Sequence, residues 1–185
     1  MVIIGIVGEI GSGKDTFSSH FIKIANDKKI VRVRFSDILK QTLDLWSIPV
    51  TRHNLQYLAI IMDKEFGVGT LTNALRQAVI KEKADIVIIE GVRWLSDVPL
   101  IRSFEKNYLV YITSDQNIRY ERVKKRGEKV DEKSLTIDRF RLEDKEPTET
   151  HILEIGKDAD IKIENNKTLK EFIEEIKKIY KIISE

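Results

Sequence analysis

A glycine-rich segment near the start of the chain has the residue types and the spacing that phosphate binding requires. The segment reads Gly8-Glu9-Ile10-Gly11-Ser12-Gly13-Lys14-Asp15-Thr16, between the apolar run 2–7 and a helical pattern. Glycines let the backbone curl so that amide N–H groups point inward, and the following helix adds its positive N-terminal end. Lys14 would then reach the β- and γ-phosphates of a nucleoside triphosphate. The segment therefore predicts a nucleotide-binding phosphate loop, with contacts expected from Gly8, Gly11, Ser12, Gly13, Lys14, Asp15 and Thr16.

The position after Lys14 departs from the usual form of this loop, which has Ser or Thr there to bind magnesium. Here Asp15 occupies that position and Thr16 follows. Either side chain offers the oxygen ligand that magnesium prefers, so both alternatives are open. Glu90 ends the apolar run 86–89 and can hold the ion through water. We therefore predict a magnesium site formed by Asp15, Thr16 and Glu90, the alternative being that Glu90 pairs with Arg93 and caps the strand.

Two more charged residues follow predicted strands, at the sheet edge where α/β proteins bind ligands. Asp37 comes after the second strand and is a candidate base or substrate anchor. In an equally weighted alternative, Ser36 or Asp37 caps the next helix. Arg93 comes after the third strand and can grip an acceptor phosphate bidentately.

A row of arginines lies on one face of a later predicted helix. Arg119, Arg122 and Arg126 are spaced i, i+3 and i+7, and such a row can close over triphosphate oxygens. A solvated, ion-paired helix face is the competing interpretation. Arg52 and Arg76 are further candidate contacts for an acceptor phosphate.

Composition excludes several classes of function. The 185 residues contain 32 basic and 30 acidic side chains, a net charge of +2, which gives little support to nucleic-acid binding. The absence of cysteine excludes disulfides and thiolate chemistry, and the three histidines are dispersed. The apolar run 2–7 is too short for a membrane span or a signal core. We expect a cytoplasmic protein with no nucleic-acid or membrane partner, and the sequence favours no particular oligomeric state.

Alternating apolar runs and helical stretches predict the fold. Five runs are expected to be strands, namely 2–7, 30–35, 86–90, 108–113 and 159–163. Such alternation predicts an α/β protein of three layers, α/β/α, with a five-stranded parallel sheet. A single P-loop domain, 1–185, is expected. Segments 36–83 and 115–155 are longer than a crossover helix needs, and we interpret them as a substrate-binding insertion and a lid-like region.

The motifs resemble those of small P-loop kinases of the nucleoside monophosphate kinase type, over nearly the whole chain. Gly11-Ser12-Gly13-Lys14-Asp15-Thr16 is similar to the Gly-Lys-Asp-Thr loop of deoxynucleoside monophosphate kinases. Glu90-Gly91-Val92-Arg93 through Asp97-Val98 is similar to the Asp/Glu-Gly-x-Arg strand end of the same kinases. Dephospho-coenzyme A kinases are a near rival, with a similar loop, an aspartate after the second strand, and a segment like Ala159-Asp160 to Asn165.

This resemblance implies transfer of the ATP γ-phosphoryl group to a small-molecule acceptor, with ATP and Mg²⁺ as cofactors. The most favoured acceptor is a nucleoside or deoxynucleoside monophosphate, and a dephospho-coenzyme A kinase is the alternative. The expected catalytic residues are Lys14, Asp37, Arg93, Arg122 and Arg126, with Arg119 on the nucleotide. From a different class, a nucleotide-dependent switch or regulatory ATPase would use the two long segments as partner surfaces.

Overall fold

Strands and helices alternate along the chain, as the apolar runs predict. A computed structural model describes residues 1–126, 135–147 and 149–184. Its strands are β1 Val2–Val7, β2 Ile30–Arg34, β3 Ile86–Val92, β4 Lys106–Thr113 and β5 Ile161–Glu164. Its helices are α1 Lys14–Ile24, α2 Phe35–Leu45, α3 Arg52–Phe66, α4 Thr70–Lys81, α5 Asp97–Arg102, α6 Gln116–Arg126, α7 Ile137–Glu143, α8 Ile152–Lys157 and α9 Leu169–Ser184.

The five strands form one sheet in the order β2-β3-β1-β4-β5, and each neighbouring pair is parallel. The predicted five-stranded parallel sheet is therefore confirmed. Its order places β1 in the centre, with β3 on one side and β4 on the other. The segment after β1 thus emerges between the ends of two neighbouring strands, which is where open parallel sheets bind ligands.

Both faces of the sheet are covered by helices, which confirms the predicted three layers. Alternate residues of the central strands point to opposite faces, so that Ile3 and Val87 lie in one core and Ile4 and Ile88 in the other. The first core is completed by helices α2, α4, α5 and α8, and the second by α1 and α9. Burial on both faces explains why the strands read as continuous apolar runs.

Two long segments leave the sheet at its carboxyl edge. Between β2 and β3, helices α2, α3 and α4 pack a small core of their own around Leu39, Leu43 and Leu58. Between β4 and β5 lie α6, α7 and α8. Residues 127–134 and Thr148 of the predicted lid-like region are outside the described residues. None of the described helices is long and apolar enough to cross a membrane.

Some boundaries differ from the sequence prediction. β2 ends at Arg34 rather than residue 35, because Phe35 already begins α2 and buries its ring in the core. β3 continues past Glu90 to Val92, with Gly91 at φ 84°. β5 begins at Ile161 rather than residue 159, so Asp160 lies just before it.

The final helix begins at a capping box, which the Thr168-x-x-Glu171 pattern in the sequence predicts. Thr168 Oγ1 accepts a hydrogen bond from the Glu171 N–H at 3.3 Å, and Glu171 Oε2 accepts one from the Thr168 N–H at 3.1 Å. This reciprocal arrangement satisfies two backbone donors of the first turn. The helix then buries Phe172, Ile176 and Ile179 against the sheet.

Replacing Thr168 by Ala should destabilise the protein, because the α9 N-terminus loses its cap. We expect the free energy of unfolding to fall by about 1 kcal/mol. The control is Ser184→Ala, at the exposed end of the same helix, which should change stability by less than about 0.5 kcal/mol. Urea denaturation of the three proteins measures both values. Equal stability of Thr168→Ala and the parent chain would contradict the capping role.

Candidate functional site

The predicted phosphate loop connects β1 to α1, and its backbone is enclosed by other parts of the chain. Gly11 and Gly13 have φ values of 78° and 110°, which residues other than glycine rarely adopt. A Cβ atom at Gly11 would lie 2.6 Å from the carbonyl oxygen of Arg119, and one at Gly13 would overlap the side-chain amide of Asn165. Both positions therefore require glycine, because a side chain would strain the backbone and would collide with the Arg119 carbonyl or the Asn165 amide.

Lys14 is folded back into the curl of this loop. Its Nζ donates hydrogen bonds to the carbonyl oxygens of Gly8 at 2.6 Å and Glu9 at 2.7 Å. Burial, followed by the charge of Arg93, lowers the pKa of Lys14 from 10.5 to about 7, against the opposing charges of Glu9 and Asp15. The ammonium group is thus held where phosphate oxygens are expected, in an environment that disfavours its charge until an anion arrives.

Glu9, within the loop, is a residue whose role the sequence analysis did not anticipate. Its Oε1 accepts hydrogen bonds from Tyr111 Oη at 2.7 Å and from Thr113 Oγ1 at 3.0 Å. Burial raises the pKa of Tyr111 to about 12, with Glu9 contributing. These bonds attach the start of the loop to β4. No local pattern in the sequence indicates them, since the partners lie far along the chain.

The two carboxylates predicted to bind magnesium are both bound by arginines of β2. Arg32 donates from Nε to Glu90 Oε1 and from Nη2 to Glu90 Oε2, each at 2.9 Å. Arg34 donates from Nε to Glu90 Oε2 at 2.6 Å. Both arginines also donate from Nη2 to Asp15 Oδ1, at 2.9 Å and 2.8 Å. Neither the predicted metal role of Glu90 nor its alternative pairing with Arg93 describes this arrangement.

These pairs bear directly on the predicted metal site. Glu90 and Asp15 already have guanidinium partners, which a metal ion would have to displace. Thr16 lines a pocket together with Arg122 and Asn165. The arrangement therefore does not fit a magnesium site built from Asp15, Thr16 and Glu90.

The sequence did contain a signal for Arg32 and Arg34. They alternate with Val31 and Val33 in β2, which places both guanidinium groups on one face of an edge strand. A strand buried on both faces would not carry two arginines on one of them. The pattern could have predicted acidic partners near β2, although not which ones.

A pocket of about 190 Å³ lies next to the loop. It is lined by Gly13, Thr16, Arg122, Asn165, Leu169 and Phe172. Arg122 donates from Nη2 to the Asn165 carbonyl at 2.9 Å, and Asn165 donates from Nδ2 to the Ser12 carbonyl at 2.9 Å. Burial lowers the pKa of Arg122. The pocket combines apolar walls with a guanidinium group and opens beside the phosphate loop.

The three arginines of the predicted row on α6 lie in different environments. Arg119 is buried, with Nη1 and Nη2 donating to Asp144 at 2.9 Å and 2.7 Å, and Nη1 also donating to the Ile10 carbonyl at 3.0 Å. Arg122 lies at the pocket. Arg126 is exposed at the end of α6. Arg119 thus connects α6, α7 and the loop, while Arg122 is the member of the row that faces the pocket.

Arg93 and Asp97 lie after β3, at the same edge as the loop. Arg93 forms an ion pair with Glu149, whose side chain is buried. Asp97 Oδ2 accepts the backbone N–H groups of Arg93 and Trp94, each at 2.9 Å, which fixes the turn. Burial raises the pKa of Asp97 to about 6. The sequence could not indicate Glu149, because it comes from a distant segment.

Asp37 lies in the first turn of α2 and does not cap that helix, since α2 begins at Phe35 without a side-chain cap. Its side chain is 43% exposed and is 3.4 Å from Lys40 Nζ. The capping alternative for Ser36 or Asp37 is therefore wrong, and the carboxylate is accessible at the edge. Arg76 is exposed on α4, and the side chain of Arg52 is outside the described part of the chain.

The parallel sheet and the glycine loop between β1 and α1 define a P-loop domain with a kinase-like fold. Residues 4–153 match the AAA domain family. The chain is 34% identical to the UPF0200 protein PH1008 of Pyrococcus horikoshii, over 99% of this chain and 98% of that protein. The chain belongs to the AAA domain family and to the UPF0200 proteins.

Solved structures of low sequence identity share the fold. Shikimate kinase from Bacteroides thetaiotaomicron superposes with a TM-score of 0.63 at 11% identity, covering 97% of this chain and 98% of that one. A gluconokinase from Sinorhizobium meliloti superposes with a TM-score of 0.56 at 13% identity, covering 98% of this chain and 93% of that one. These likenesses establish the fold class.

Binding of a phosphate ligand should be coupled to proton uptake by Lys14. Near pH 8 the amine is mostly neutral in the empty loop, because its pKa is about 7. A phosphate raises that pKa, so binding takes up about one proton near pH 8 and far less through Lys14 near pH 6. Calorimetry of ATP binding in buffers of different ionisation enthalpy measures the uptake.

The matched control for this measurement is Lys14→Arg, which keeps a permanent positive charge. Its uptake near pH 8 should be close to zero, and subtracting it removes the contribution of the nucleotide itself. Intact ATP binding by the parent chain with no proton uptake near pH 8 would show that Lys14 is already charged in the empty loop.

Proposed function

We propose that this protein is an ATP-dependent kinase that transfers the γ-phosphoryl group to a small anionic acceptor, most favourably a nucleoside monophosphate. The observation that carries the proposal is the position of Lys14, held inside the curled loop at the carboxyl edge. The kinase-like fold and the adjacent pocket support it.

The nucleotide site consists of the loop and the neighbouring pocket. Loop amides, the α1 N-terminus and Lys14 would bind the phosphates, and the pocket beside Arg122 and Leu169 would take the base. The base would pack against apolar side chains while Arg122 provides the positive charge. The segment Asn166-Lys167-Thr168-Leu169 comes nearest to the guanine-reading pattern Asn-Lys-x-Asp but lacks its aspartate. Asn166 accepts the Asp115 N–H at Oδ1 and donates from Nδ2 to Asp115 Oδ1, so this segment does not favour GTP.

ATP, when bound, would supply the γ-phosphoryl group, and ADP would be the leaving group. The protein's residues would do the positioning. The loop, Lys14 and the α1 N-terminus would hold the phosphates, and Arg122 and Arg126 lie on α6, which contacts the loop at Gly11. We assign Arg119 a supporting role beside the nucleotide, because its ion pair with Asp144 holds α7 to α6 and its bond to Ile10 supports the loop. Placing the donor and the acceptor in line accounts for most of the catalysis in this type of reaction.

The acceptor would lie between the sheet edge and the segment 36–83. The accessible charged side chains there include Arg34, Asp37, Lys40 and Arg93, with side-chain exposures between 35% and 43%. Arg34 is held by Asp15 and Glu90 and Lys40 lies beside Asp37, so Arg93 is the side chain that we assign to an anionic acceptor. A nucleoside monophosphate would offer its phosphate to Arg93, and that phosphate needs no base because it is already an anionic nucleophile.

A hydroxyl acceptor, as in a dephospho-coenzyme A kinase, is the second candidate, and one observation favours it. Asp37 presents an accessible carboxylate at the edge and does not serve as a helix cap. An alcohol needs a carboxylate that accepts its proton during attack, whereas a phosphate does not. The two candidates therefore assign different importance to Asp37.

The experiment is ADP release with ATP across a panel of ribo- and deoxynucleoside monophosphates and dephospho-coenzyme A, with Lys14→Ala as the blank. Stimulation by a nucleoside monophosphate is the expected result. ATP binding without stimulation by any anionic acceptor would count against the kinase and favour a nucleotide-dependent switch.

Two substitutions separate the acceptor classes. With a nucleoside monophosphate, Asp37→Asn should keep kcat/KM within about threefold of the parent value, because no base is required. Arg93→Lys should lower kcat/KM by about a hundredfold, because lysine cannot make the bidentate contact but still partners Glu149. If dephospho-coenzyme A is instead the acceptor that stimulates ADP release, Asp37→Asn should lower kcat/KM with it by about a hundredfold or more. Arg141→Lys, in an exposed pair with Asp138, is the control.

A further inference from the structure

Arg32 and Arg34 join the two carboxylates that flank the phosphate loop. Asp15 directly follows Lys14, and Glu90 is the register partner of Ile6 in β1 and of Arg34 in β2. The guanidinium groups make five hydrogen bonds to these carboxylates, at 2.6–2.9 Å. We refer to these four residues as the arginine–carboxylate cluster.

The cluster is electrically balanced. Its two guanidinium groups carry two positive charges and its two carboxylates carry two negative charges. Glu90 is only 6% exposed, so its charge is poorly screened by water. Without the arginines, this carboxylate and Asp15 would repel a triphosphate in the adjacent loop. With them, no bare carboxylate in the cluster faces the phosphates.

The backbone, rather than a chance contact, holds the arginines in this position. Arg32 and Arg34 are two residues apart in β2 and therefore point to the same face of the sheet. Register places Arg34 directly beside Glu90, and Arg32 reaches the same carboxylate with both Nε and Nη2. A bidentate guanidinium–carboxylate contact is the strong form of this interaction, so an incoming cation would have to displace it.

We propose that this loop binds its triphosphate without a divalent cation held by the protein, because Arg32 and Arg34 already neutralise the carboxylates that such a cation would bridge. The inference depends on the ATP binding proposed above and specifies its electrostatics. Arg32 and Arg34 are positioning residues in this account: they act through Asp15 and Glu90. A divalent cation would enter and leave the site bound to the nucleotide, and it would add little to the affinity of the protein for ATP.

Calorimetric titration with ATP, once with excess magnesium chloride and once with excess EDTA, tests the inference on the unmodified protein. The expected dissociation constants agree within about threefold. An increase of about thirtyfold or more in EDTA would overturn the inference. This comparison needs no variant, so a failure of any variant to fold does not affect it.

The double variant Arg32→Gln and Arg34→Gln removes both positive charges and leaves Asp15 and Glu90 unpaired. Its affinity for ATP in EDTA should fall by about tenfold or more relative to its affinity with magnesium, because the cation then has carboxylates to neutralise. The matched control is Arg102→Gln, which breaks an ion pair with Asp160 next to the start of β5. The side chain of Arg102 is 35% exposed, close to the 37% of Arg34. For this variant, the ratio of the ATP dissociation constants in EDTA and with magnesium should equal that of the parent chain.

The outcomes separate the inference from the proposed function. ATP binding only in magnesium would overturn the inference and leave the kinase proposal intact. The inference would also be overturned if the double variant folds, as its melting curve shows, but has the same ratio of ATP dissociation constants in EDTA and in magnesium as the parent chain. The arginines would then not be the reason that the parent binds ATP without magnesium. Failure of the parent chain to bind ATP in either solution would overturn the proposed function and the inference with it.

Discussion

The backbone of the phosphate loop keeps its curl because two other parts of the chain press against its glycines. The carbonyl of Arg119 in α6 lies against Gly11, and the side chain of Asn165, after β5, lies against Gly13 while donating to the Ser12 carbonyl. Arg122 bonds Asn165 in turn, so these supports are themselves connected. The position of Lys14, the shape of the neighbouring pocket and the direction of the loop amides all depend on this packing.

Ion pairs between carboxylates and arginines also stabilise the structure around the loop. Three carboxylates of low exposure near it are held by arginines: Glu90 by the pair from β2, Asp144 by Arg119, and Glu149 by Arg93. Removing one partner of such a pair leaves a buried charge and costs about 3–5 kcal/mol. Several arginines therefore serve the structure as well as the ligand, and the positive charge for phosphate comes mainly from Lys14, the α1 N-terminus and Arg122.

The sequence predicted those features that depend on local pattern. Strand-like apolar runs, the glycine loop and the Thr168 capping box are all read from neighbouring residues, and each has its counterpart in the structure. The partners of charged side chains were not predictable in this way. Glu90 and Asp15 were interpreted as metal ligands because carboxylates near a phosphate loop often are, and only the strand order shows that Arg32 and Arg34 lie beside them. Glu149 and Asp144 likewise reach their partners from distant segments.

The most direct test is a crystal structure of the protein with a non-hydrolysable ATP analogue. The account predicts that Lys14 Nζ leaves the Gly8 and Glu9 carbonyls for phosphate oxygens at about 3 Å, with the base in the pocket beside Arg122 and Leu169. It also predicts that Arg32 and Arg34 still hold Glu90. A nucleotide bound elsewhere, with Lys14 still bonded to its own loop, would contradict the account.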